Sequence, residues 1–267
     1  MNEEINIEAC IDSVKWSDDI VVFDSLSSDG TKEIALQNGA RVIERSFDNW
    51  ASHQNWAIKN IYFQHPWVFY LDADERCPKE LSEEISRIVS ADNKYEAFKL
   101  KRRDYFMGRW LKHAQLYPTW LVRLFKPEKI RFERLVNPIP IVNGQIGELT
   151  HDLIHYPFSH GVSHWIDRHN KYSDMEAVEN IKLLKNRGCG FSNLFSKDAN
   201  IRRKAHKDTF YKLPGRPIIK FIYYYFLRMG FLDGKPGLTY SFLQAYYEYM
   251  IVLKRNELLR KEKGLLS

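Results

Sequence analysis

Two carboxylates separated by one residue, Asp72 and Asp74, follow the apolar run Trp67–Leu71. That run has the length and composition of a buried strand, so both acids stand at the end of a predicted strand. Once the chain turns there, the two carboxylates can face one hard cation, and Mg²⁺ or Mn²⁺ binds such oxygens together with substrate phosphate oxygens. Because acidic residues at strand ends also commonly cap helices, this motif alone indicates a metal site only weakly.

A second acidic strand end is Asp24, which closes the apolar run Ile20–Phe23 and begins the loop DSLSSDGT. A carboxylate in this place can bind the polar edge of a nucleobase or a ribose hydroxyl. The alternative is purely structural, since Ser28 or Asp29 can cap the helix predicted from Thr31. In an open α/β sheet, ligands bind at the carboxyl ends of the strands, so we expect Asp24 to share one edge with the Asp72/Asp74 pair.

Strands and helices alternate in the first half of the chain, which predicts an α/β fold with a mostly parallel sheet. The predicted strands are Ile20–Asp24, Arg41–Arg45 and Trp67–Asp74, and the predicted helices are Thr31–Ala40, Trp50–Ile61 and Pro78–Val89. Longer strands follow Glu96, and from Gly161 the pattern becomes helical, with a long helix over His164–Gly188. The predicted secondary structure therefore changes near residue 160, from segments that contain strands to helices alone.

The basic charge is concentrated in the second half of the chain. Residues 1–126 carry 17 Lys+Arg and 20 Asp+Glu, whereas residues 127–267 carry 23 and 14. The stretch Lys197–Lys235 is the most basic and also contains many aromatic residues, which is typical of a membrane headgroup boundary. The alternatives are a helical core for the aromatics or a nucleic-acid partner, but no recognition-helix, zinc or RNA-binding signature supports the latter.

Neither secretion nor membrane spanning is indicated by the sequence. No apolar run reaches the ~18 residues that a spanning helix needs. The acidic N-terminus lacks a signal segment, and three widely spaced cysteines (Cys10, Cys77 and Cys189) fit a reducing compartment. We therefore expect a cytoplasmic protein.

Taken together, the motifs resemble those of family-2 glycosyltransferases with the GT-A fold, in particular bacterial lipopolysaccharide-core and surface-polysaccharide transferases. The segments that carry the resemblance occur in the family's order and span nearly the whole chain. They are Asn2-Glu3-Glu4, WSDDIVVFDSLSSDGT, the Asn55 region, FYLDADE, RRDYFMGRWLKH, YPTWLVRLFKP, HWIDRHNKYSDMEA and GFLDGKPG. The resemblance implies a Rossmann-like nucleotide-sugar domain over residues 1–160. It leaves residues 161–267 as a helical, basic and aromatic extension that binds acceptor or membrane.

The resemblance also implies roles for individual residues on the donor side. Asp24 matches the residue that contacts the nucleotide base, and Gln54 and Asn55 match polar helix residues near the nucleotide. Asp72 and Asp74 match the D-x-D pair that holds the donor ribose and the metal-bound diphosphate.

A late histidine, His155, matches a family position on the metal or the diphosphate, although a histidine in an edge strand is more often a satisfied polar residue. With Mg²⁺ or Mn²⁺ in place, the expected ligands are Asp74, Asp72 and His155. Such an ion stabilises the negative charge on the departing nucleoside diphosphate.

The general base is the point where this chain departs from its relatives. An inverting transfer needs a group that removes a proton from the acceptor hydroxyl. The family commonly has a His-Glu pair after Leu-Val, whereas this chain has Asn137-Pro138 after Leu135-Val136. Neither residue accepts a proton at neutral pH. Glu133 and Asp104 are the nearest alternatives.

The start of the chain is a second departure, because the family places an apolar strand directly before the Asn-Glu pair and here only Met1 precedes Asn2. We expect the first strand of the sheet to be missing. Either the natural start lies upstream, or the protein is clipped and impaired, or another segment or partner chain fills the gap.

These expectations combine into one leading hypothesis and one rival of the same fold. The leading hypothesis is an inverting, metal-dependent hexosyltransferase of lipopolysaccharide or surface-polysaccharide synthesis, peripheral on the cytoplasmic face of the inner membrane. A UDP-sugar is the favoured donor, and the acceptor is a lipid-linked saccharide or an oligosaccharide. The rival is a catalytically degenerate homologue that acts as a scaffold in an assembly complex. Nucleic acid is not an expected partner.

Overall fold

The computed structural model describes residues 1–133, 138–185 and 215–265, together with residues 202, 209 and 213. Its contacts divide the chain into two compact units. The first unit comprises residues 1–110 and 117–159, and the second comprises residues 111–116 and the described part of residues 160–267. The assignment of a catalytic role to residues 1–160 and a membrane or acceptor role to residues 161–267 stays a prediction.

Four α-helices occur in the described part of the first unit, and the three helices predicted from its periodicity are confirmed. They are α1 (Ile7–Asp12), α2 (Thr31–Gln37), α3 (Trp50–Asn60) and α4 (Lys79–Ser90). The side chain of Asn49 caps α3 by accepting a hydrogen bond of 2.9 Å from the Ser52 amide. Helix α4 buries Leu81 and Ile85, which lie one turn apart on its inner face.

Eleven strands are described in the first unit. They are β1 (Val21–Asp24), β2 (Arg41–Glu44), β3 (Val68–Phe69), β4 (Glu75–Arg76), β5 (Tyr95–Phe106), β6 (Arg109–Trp110), β7 (Thr119–Phe125), β8 (Ile130–Glu133), β9 (Ile139–Val142), β10 (Gln145–Glu148) and β11 (Leu153–His155). Seven of them form the central sheet, whose main path runs β3-β7-β5-β11-β4, with β6 and β10 also paired to β5. The pairs β1–β2 and β8–β9 form separate two-stranded sheets.

The sheet is mixed, in contrast to the mostly parallel sheet expected from the alternating pattern. Strand β5 pairs in parallel with β10 and β11, but β7 is antiparallel to both β3 and β5, and β4 is antiparallel to β11. Among the described residues, β1 pairs only with β2, and β3 pairs only with β7. A missing first strand stays a prediction.

The strand predicted over Trp67–Asp74 is regular only at Val68–Phe69. Tyr70 adds one more bond to the sheet, donating from its amide to the Arg123 carbonyl at 2.7 Å. The chain then turns, and the Glu75 amide bonds the Asp72 carbonyl at 2.9 Å. This turn lifts the two aspartates out of the strand.

The core of the first unit lies between α4 and the sheet. Leu81, Leu100 and Leu153 have no exposed surface, and Phe98 and Leu124 pack with them. Because side chains alternate along a strand, Phe98 and Leu100 share their face of β5 with Arg102 and Asp104. One face of β5 therefore leads from the apolar core to charged side chains.

The described part of the second unit is helical. It contains α5 (Gly161–Lys185), α6 (Arg216–Ile222), a π-helical turn (Tyr223–Leu227), a 3-10 turn (Gly230–Asp233) and α7 (Gly234–Glu262). A Cβ atom on Gly237 would collide with the Gly230 carbonyl oxygen, so the close approach within the GFLDGKPG segment requires glycine. Within the described ranges, no helix is both long and apolar enough to cross a membrane.

Candidate active site

The turn that follows β3 carries Asp72, and both carboxylate oxygens of this residue are engaged. Oδ1 accepts a hydrogen bond of 2.8 Å from the Tyr70 hydroxyl, and Oδ2 accepts one of 2.6 Å from Arg123. The Tyr70 hydroxyl in turn accepts a bond of 2.7 Å from the side-chain amide of Gln54 on α3. Two predicted donor-binding residues, Gln54 and Asp72, are thus joined through one tyrosine.

Arg123 also binds Glu75, at 2.7 Å from Oε1, and Glu75 is completely buried. Burial raises the pKa of Glu75, an effect that the positive charge of Arg123 only partly offsets. Burial would also raise the pKa of Asp72, but there the charge and the hydrogen bond of Arg123 prevail and the pKa is lowered. Arg123 therefore keeps Asp72 ionised.

A histidine and two aspartates form the other half of the site. His155 on β11 is the direct parallel-strand neighbour of Asp104 on β5. Its Nδ1 is hydrogen-bonded to Asp104, and its Nε2 lies 3.2 Å from Oδ2 of Asp74. Burial by itself would lower the pKa of His155, but the bonds to Asp104 and Asp74 outweigh it and raise the pKa to about 9.

These two halves are joined by Arg102. Its Nε lies 3.0 Å from Asp104 Oδ1, and its NH1 lies 3.5 Å from the same Glu75 oxygen that Arg123 binds. A continuous chain of polar contacts therefore runs from Gln54 to Asp74. Such networks hold each side chain in one orientation, because any displaced member leaves a buried polar partner unsatisfied.

The donor set fits a divalent cation at Asp74 and His155 once the cation displaces the Nε2 proton of His155. Adjacent ligands of an octahedral Mg²⁺ ion with bonds of about 2.1 Å lie about 3 Å apart, which is close to the separation of Asp74 Oδ2 and His155 Nε2. Magnesium in proteins often takes only one or two protein ligands and completes its shell with substrate phosphate oxygens and water. Asp72 is less suited, since Tyr70 and Arg123 hold its oxygens, and no cluster of three candidate ligands occurs in the described ranges.

The other predicted donor-binding residues, Asp24 in β1 and Asn55 in α3, form hydrogen bonds within the first unit. Asp24 is buried at the end of β1 and accepts hydrogen bonds from the amide and the hydroxyl of Ser27, at 2.7 and 2.5 Å. Asn55 donates to the Phe132 carbonyl and accepts from the Phe132 amide, both at 2.8 Å. These two hydrogen bonds hold α3 against β8.

The two candidate general bases differ sharply in their surroundings. Glu133 ends β8, is exposed to solvent and forms an ion pair of 3.1 Å with Arg131. Asp104 is only 4% exposed and is held by His155 and Arg102. Asn137, which stands in the family's base motif, lies outside the described residues, as does Cys189.

Arg123, Tyr70, Glu75 and Arg102 were not singled out by the motifs. For Arg123 a signal exists, because it is one cation inside the apolar strand Thr119–Phe125, and a buried arginine requires a carboxylate partner. For Glu75 the signal is its place directly after the Asp72/Asp74 pair. No sequence signal distinguishes Arg102, since basic residues surround it in the sequence.

An open cleft of about 220 Å³ lies beside the Asp74 loop. Its wall includes Tyr105 and Tyr156, whose ring centroids are 5.7 Å apart, and Arg76, which lies over the Tyr156 ring at 5.8 Å. The Tyr156 amide bonds the Asp74 carbonyl at 2.9 Å, so the cleft adjoins the backbone of the Asp74 turn. The Tyr105 side chain alternates with that of Asp104 along β5 and lies on the other face of the strand. Aromatic walls with a few polar groups suit the apolar faces and hydroxyls of a sugar ring.

Comparison with known proteins relates this sequence to a family of enzymes. Residues 1–147 match the model of glycosyl transferase family 2. The chain is 26% identical over 261 residues to the lipopolysaccharide core biosynthesis glycosyltransferase LpsC of Rhizobium meliloti, covering 92% of this chain and 87% of that protein. It is 25% identical over 269 residues to an uncharacterized glycosyltransferase of Rickettsia typhi, covering 100% and 87%.

Among solved structures, glucosyl-3-phosphoglycerate synthase from Mycobacterium tuberculosis shares 21% identity, with a TM-score of 0.35 over 48% of this chain and 54% of that chain. The family match covers more than half of the chain and includes β1, the Asp72–Glu75 turn and most of the central sheet. The α/β architecture with a helical C-terminal region is that of the GT-A fold. The chain belongs to glycosyl transferase family 2.

Proposed function

We propose that the protein transfers a hexose from a nucleoside-diphosphate sugar to a saccharide or lipid-linked acceptor in lipopolysaccharide or surface-polysaccharide synthesis, with inversion at the anomeric carbon. Family membership and the likeness to a lipopolysaccharide-core transferase support the reaction class. The observation that carries the proposal is the pairing of Asp74 with His155 at the end of a polar network. A UDP-sugar is the favoured donor.

Asp74 and His155 would hold Mg²⁺ or Mn²⁺, and that ion, when bound, supplies positive charge to the departing diphosphate. The residues of the chain do the rest of the positioning. Arg123 and Tyr70 keep Asp72 ionised and fixed in direction, which suits a carboxylate that accepts hydrogen bonds from the donor ribose. Asp24, at the end of β1, is proposed to accept from the nucleobase.

For the general base we propose Glu133. A base must reach the acceptor hydroxyl, and the exposed Glu133 meets this condition whereas the buried Asp104 does not. The bonds between Asn55 and Phe132 fix β8 to α3, the helix that also carries Gln54. Glu133, the residue after Phe132, is thereby held at a defined distance from the donor-side network.

The cleft beside Asp74 is the proposed acceptor site. Tyr105 and Tyr156 would stack on a sugar ring, and Arg76 would bind its hydroxyls or an attached phosphate. The Tyr156 amide bonds the Asp74 carbonyl, so a sugar in this cleft would lie beside the turn that carries Asp74.

The second unit is proposed to bind an anionic membrane surface on the cytoplasmic face of the inner membrane. Residues 215–232 contain no Asp or Glu, and their large apolar side chains are exposed, with Leu227 at 71%, Ile218 at 67% and Phe226 at 55%. Exposed apolar surface of this kind is typical of a lipid-binding face. Among the basic residues of this range, Arg216 is buried and paired with Glu248, and Lys220 lies 3.4 Å from the same glutamate. Of the proposed lipid-binding segment Arg202–Arg228, residues 203–208, 210–212 and 214 lie outside the described residues.

A donor-hydrolysis screen tests the proposal. UDP-, GDP- and dTDP-sugars are incubated with the protein and Mg²⁺ or Mn²⁺, and release of the nucleoside diphosphate is measured. We expect release from one donor class, abolished by EDTA and by Asp74→Asn. If no donor is cleaved or transferred, the rival function as a scaffold holds, which the Asn137-Pro138 departure favours.

A further inference from the structure

Asp104 and His155 are adjacent across parallel strands, with Asp104 on β5 paired to His155 on β11. This register brings the two side chains to the same face of the sheet, and the contact between the carboxylate and Nδ1 follows from it. His155 is 9% exposed, so its ring has little freedom to rotate. With Nδ1 bound to Asp104, Nε2 is left facing Asp74.

Asp104 is itself fixed in place. It is 4% exposed, and Arg102 Nε lies 3.0 Å from Oδ1, the same oxygen that binds His155. Arg102 is in turn anchored to the fully buried Glu75. A carboxylate held in this way cannot swing out to an acceptor hydroxyl, but it can accept a hydrogen bond from an imidazole N–H in a constant direction.

We propose that Asp104 is a positioning residue, which fixes the rotation and the tautomer of His155 so that Nε2 presents its lone pair toward Asp74 and a shared cation. The role as metal ligand rests on the proposed function, whereas the orientation of the ring does not. Histidines that bind metals commonly donate their other ring N–H to a carboxylate, and loss of that partner typically weakens metal binding about 10–100-fold.

The first test reads the ring directly and needs no metal. The His155 imidazole is observed by ¹⁵N NMR in the neutral form at alkaline pH, in the metal-free protein. We expect the proton on Nδ1 in the wild type and in Asp104→Asn, whose amide oxygen can still accept it. In Asp104→Leu, which keeps the volume but removes the acceptor, we expect the proton to move toward Nε2. The same tautomer in the wild type and Asp104→Leu would overturn the proposal.

The second test measures Mn²⁺ affinity in the presence of the nucleoside diphosphate released in the donor screen. We expect about 10–100-fold weaker binding in Asp104→Leu and a near-normal value in Asp104→Asn. Asp92→Asn, a change at an exposed carboxylate, serves as the matched control. An equal loss of Mn²⁺ affinity in Asp104→Asn and Asp104→Leu would show that the charge of Asp104 determines the affinity. Its hydrogen bond to His155 would then not matter, which contradicts the positioning role.

The two tests separate the two hypotheses. If the wild type binds no Mn²⁺, metal dependence of the proposed function fails, while the tautomer comparison still decides the role of Asp104. Loss of Asp104 leaves Arg102 without one of its carboxylate partners, which can prevent Asp104→Leu from folding. In that case the double variant Asp104→Ala, Arg102→Leu removes the acceptor of the His155 proton and the arginine together. The same NMR readout then applies to that double variant.

Discussion

Arg123 binds Asp72 through a hydrogen bond of 2.6 Å, and the same terminal nitrogen binds Glu75 at 2.7 Å. One buried cation is thus shared by two carboxylates, one at the candidate donor site and one in the interior. Because buried charges are costly unless paired, this arginine links the stability of the first unit to the state of the site.

Replacement of Arg123 by methionine should destabilise the protein strongly. It removes the cation of Asp72 and leaves the buried Glu75 with only the longer contact to Arg102, and removal of one partner of a buried pair costs about 3–5 kcal/mol. The control is Arg131→Met, because the Arg131–Glu133 pair is exposed and such pairs contribute about 0–1 kcal/mol. Urea unfolding at neutral pH measures both values. Equal losses in the two variants would contradict a structural role for Arg123.

Asp74→Asn should nearly abolish sugar transfer while the protein remains folded. The loss of one charged ligand of a transition-state cation is expected to reduce kcat by about a hundredfold or more. Asp92→Asn should retain full activity, since this carboxylate is exposed. The rates are compared by nucleoside-diphosphate release, and circular dichroism verifies the fold. Full activity of Asp74→Asn, or of the wild type in excess EDTA, would remove the metal from the reaction.

Glu133→Gln should lower kcat for transfer without weakening donor binding. Removal of a general base typically costs about 10²–10⁴ in rate. Glu128→Gln, at an exposed carboxylate nearby in the chain, is the control. Steady-state rates and donor affinity are measured separately. A rate within a few-fold of the wild type would assign the base to another residue.

Phe226→Glu combined with Leu227→Glu should weaken binding to anionic vesicles at least about tenfold, because two exposed apolar side chains become charged and repel the surface. Leu36→Glu, on α2 of the first unit, changes another exposed leucine and should have no effect. Co-sedimentation with vesicles that contain phosphatidylglycerol gives the bound fraction, which should also fall with added salt.

Equal binding of the wild type to anionic and neutral vesicles, or to neither, would contradict an anionic membrane surface as the partner. Concentration-dependent dimerisation that Phe226→Glu abolishes would instead identify the exposed face as an interface between copies of this chain.

His169 on α5 should make the second unit sensitive to acid. Burial lowers the pKa of His169 to about 4, from an ordinary value of 6.5, and its ring stacks on Trp165 at 3.6 Å. Since the unfolded chain binds the proton more readily, stability is unaffected above pH 6.5 and is lost as the pH falls from 6.5 to 4. In His169→Gln, the decline of the melting temperature over this range should be smaller than in the wild type. An unchanged decline would show that other groups determine it.

The helices and the outline of the site could be predicted because they depend on local signals. Periodic apolar residues such as Leu81 and Ile85 define α4, and the aspartates at the end of β1 and after β3 are visible because they follow apolar runs. The directions of the sheet strands could not be predicted in the same way. They depend on pairings over long sequence distances, such as β3 with β7.

The side chains that bind the site carboxylates Asp72 and Asp104 also could not be predicted from the sequence. Nothing near Asp72 in the chain indicates that Arg123, 51 residues later, holds it. Asp104 was a candidate base because of its residue type, and only its burial and its contact with His155 favour a positioning role. The exposure of Phe226 and Leu227 is likewise a property of packing, since the same residues suit a helical core.

The buried Asp233 of the second unit accepts hydrogen bonds from the backbone amides of His113 and Ala114, at 2.9 and 2.8 Å. Those donors belong to residues 111–116, which lie in the sequence between the two stretches of the first unit. In a chimaera with one crossover near residue 160, Asp233 and residues 111–116 would therefore come from different proteins. Exchange of the helical unit between family members, in evolution or by engineering, requires that both segments move together.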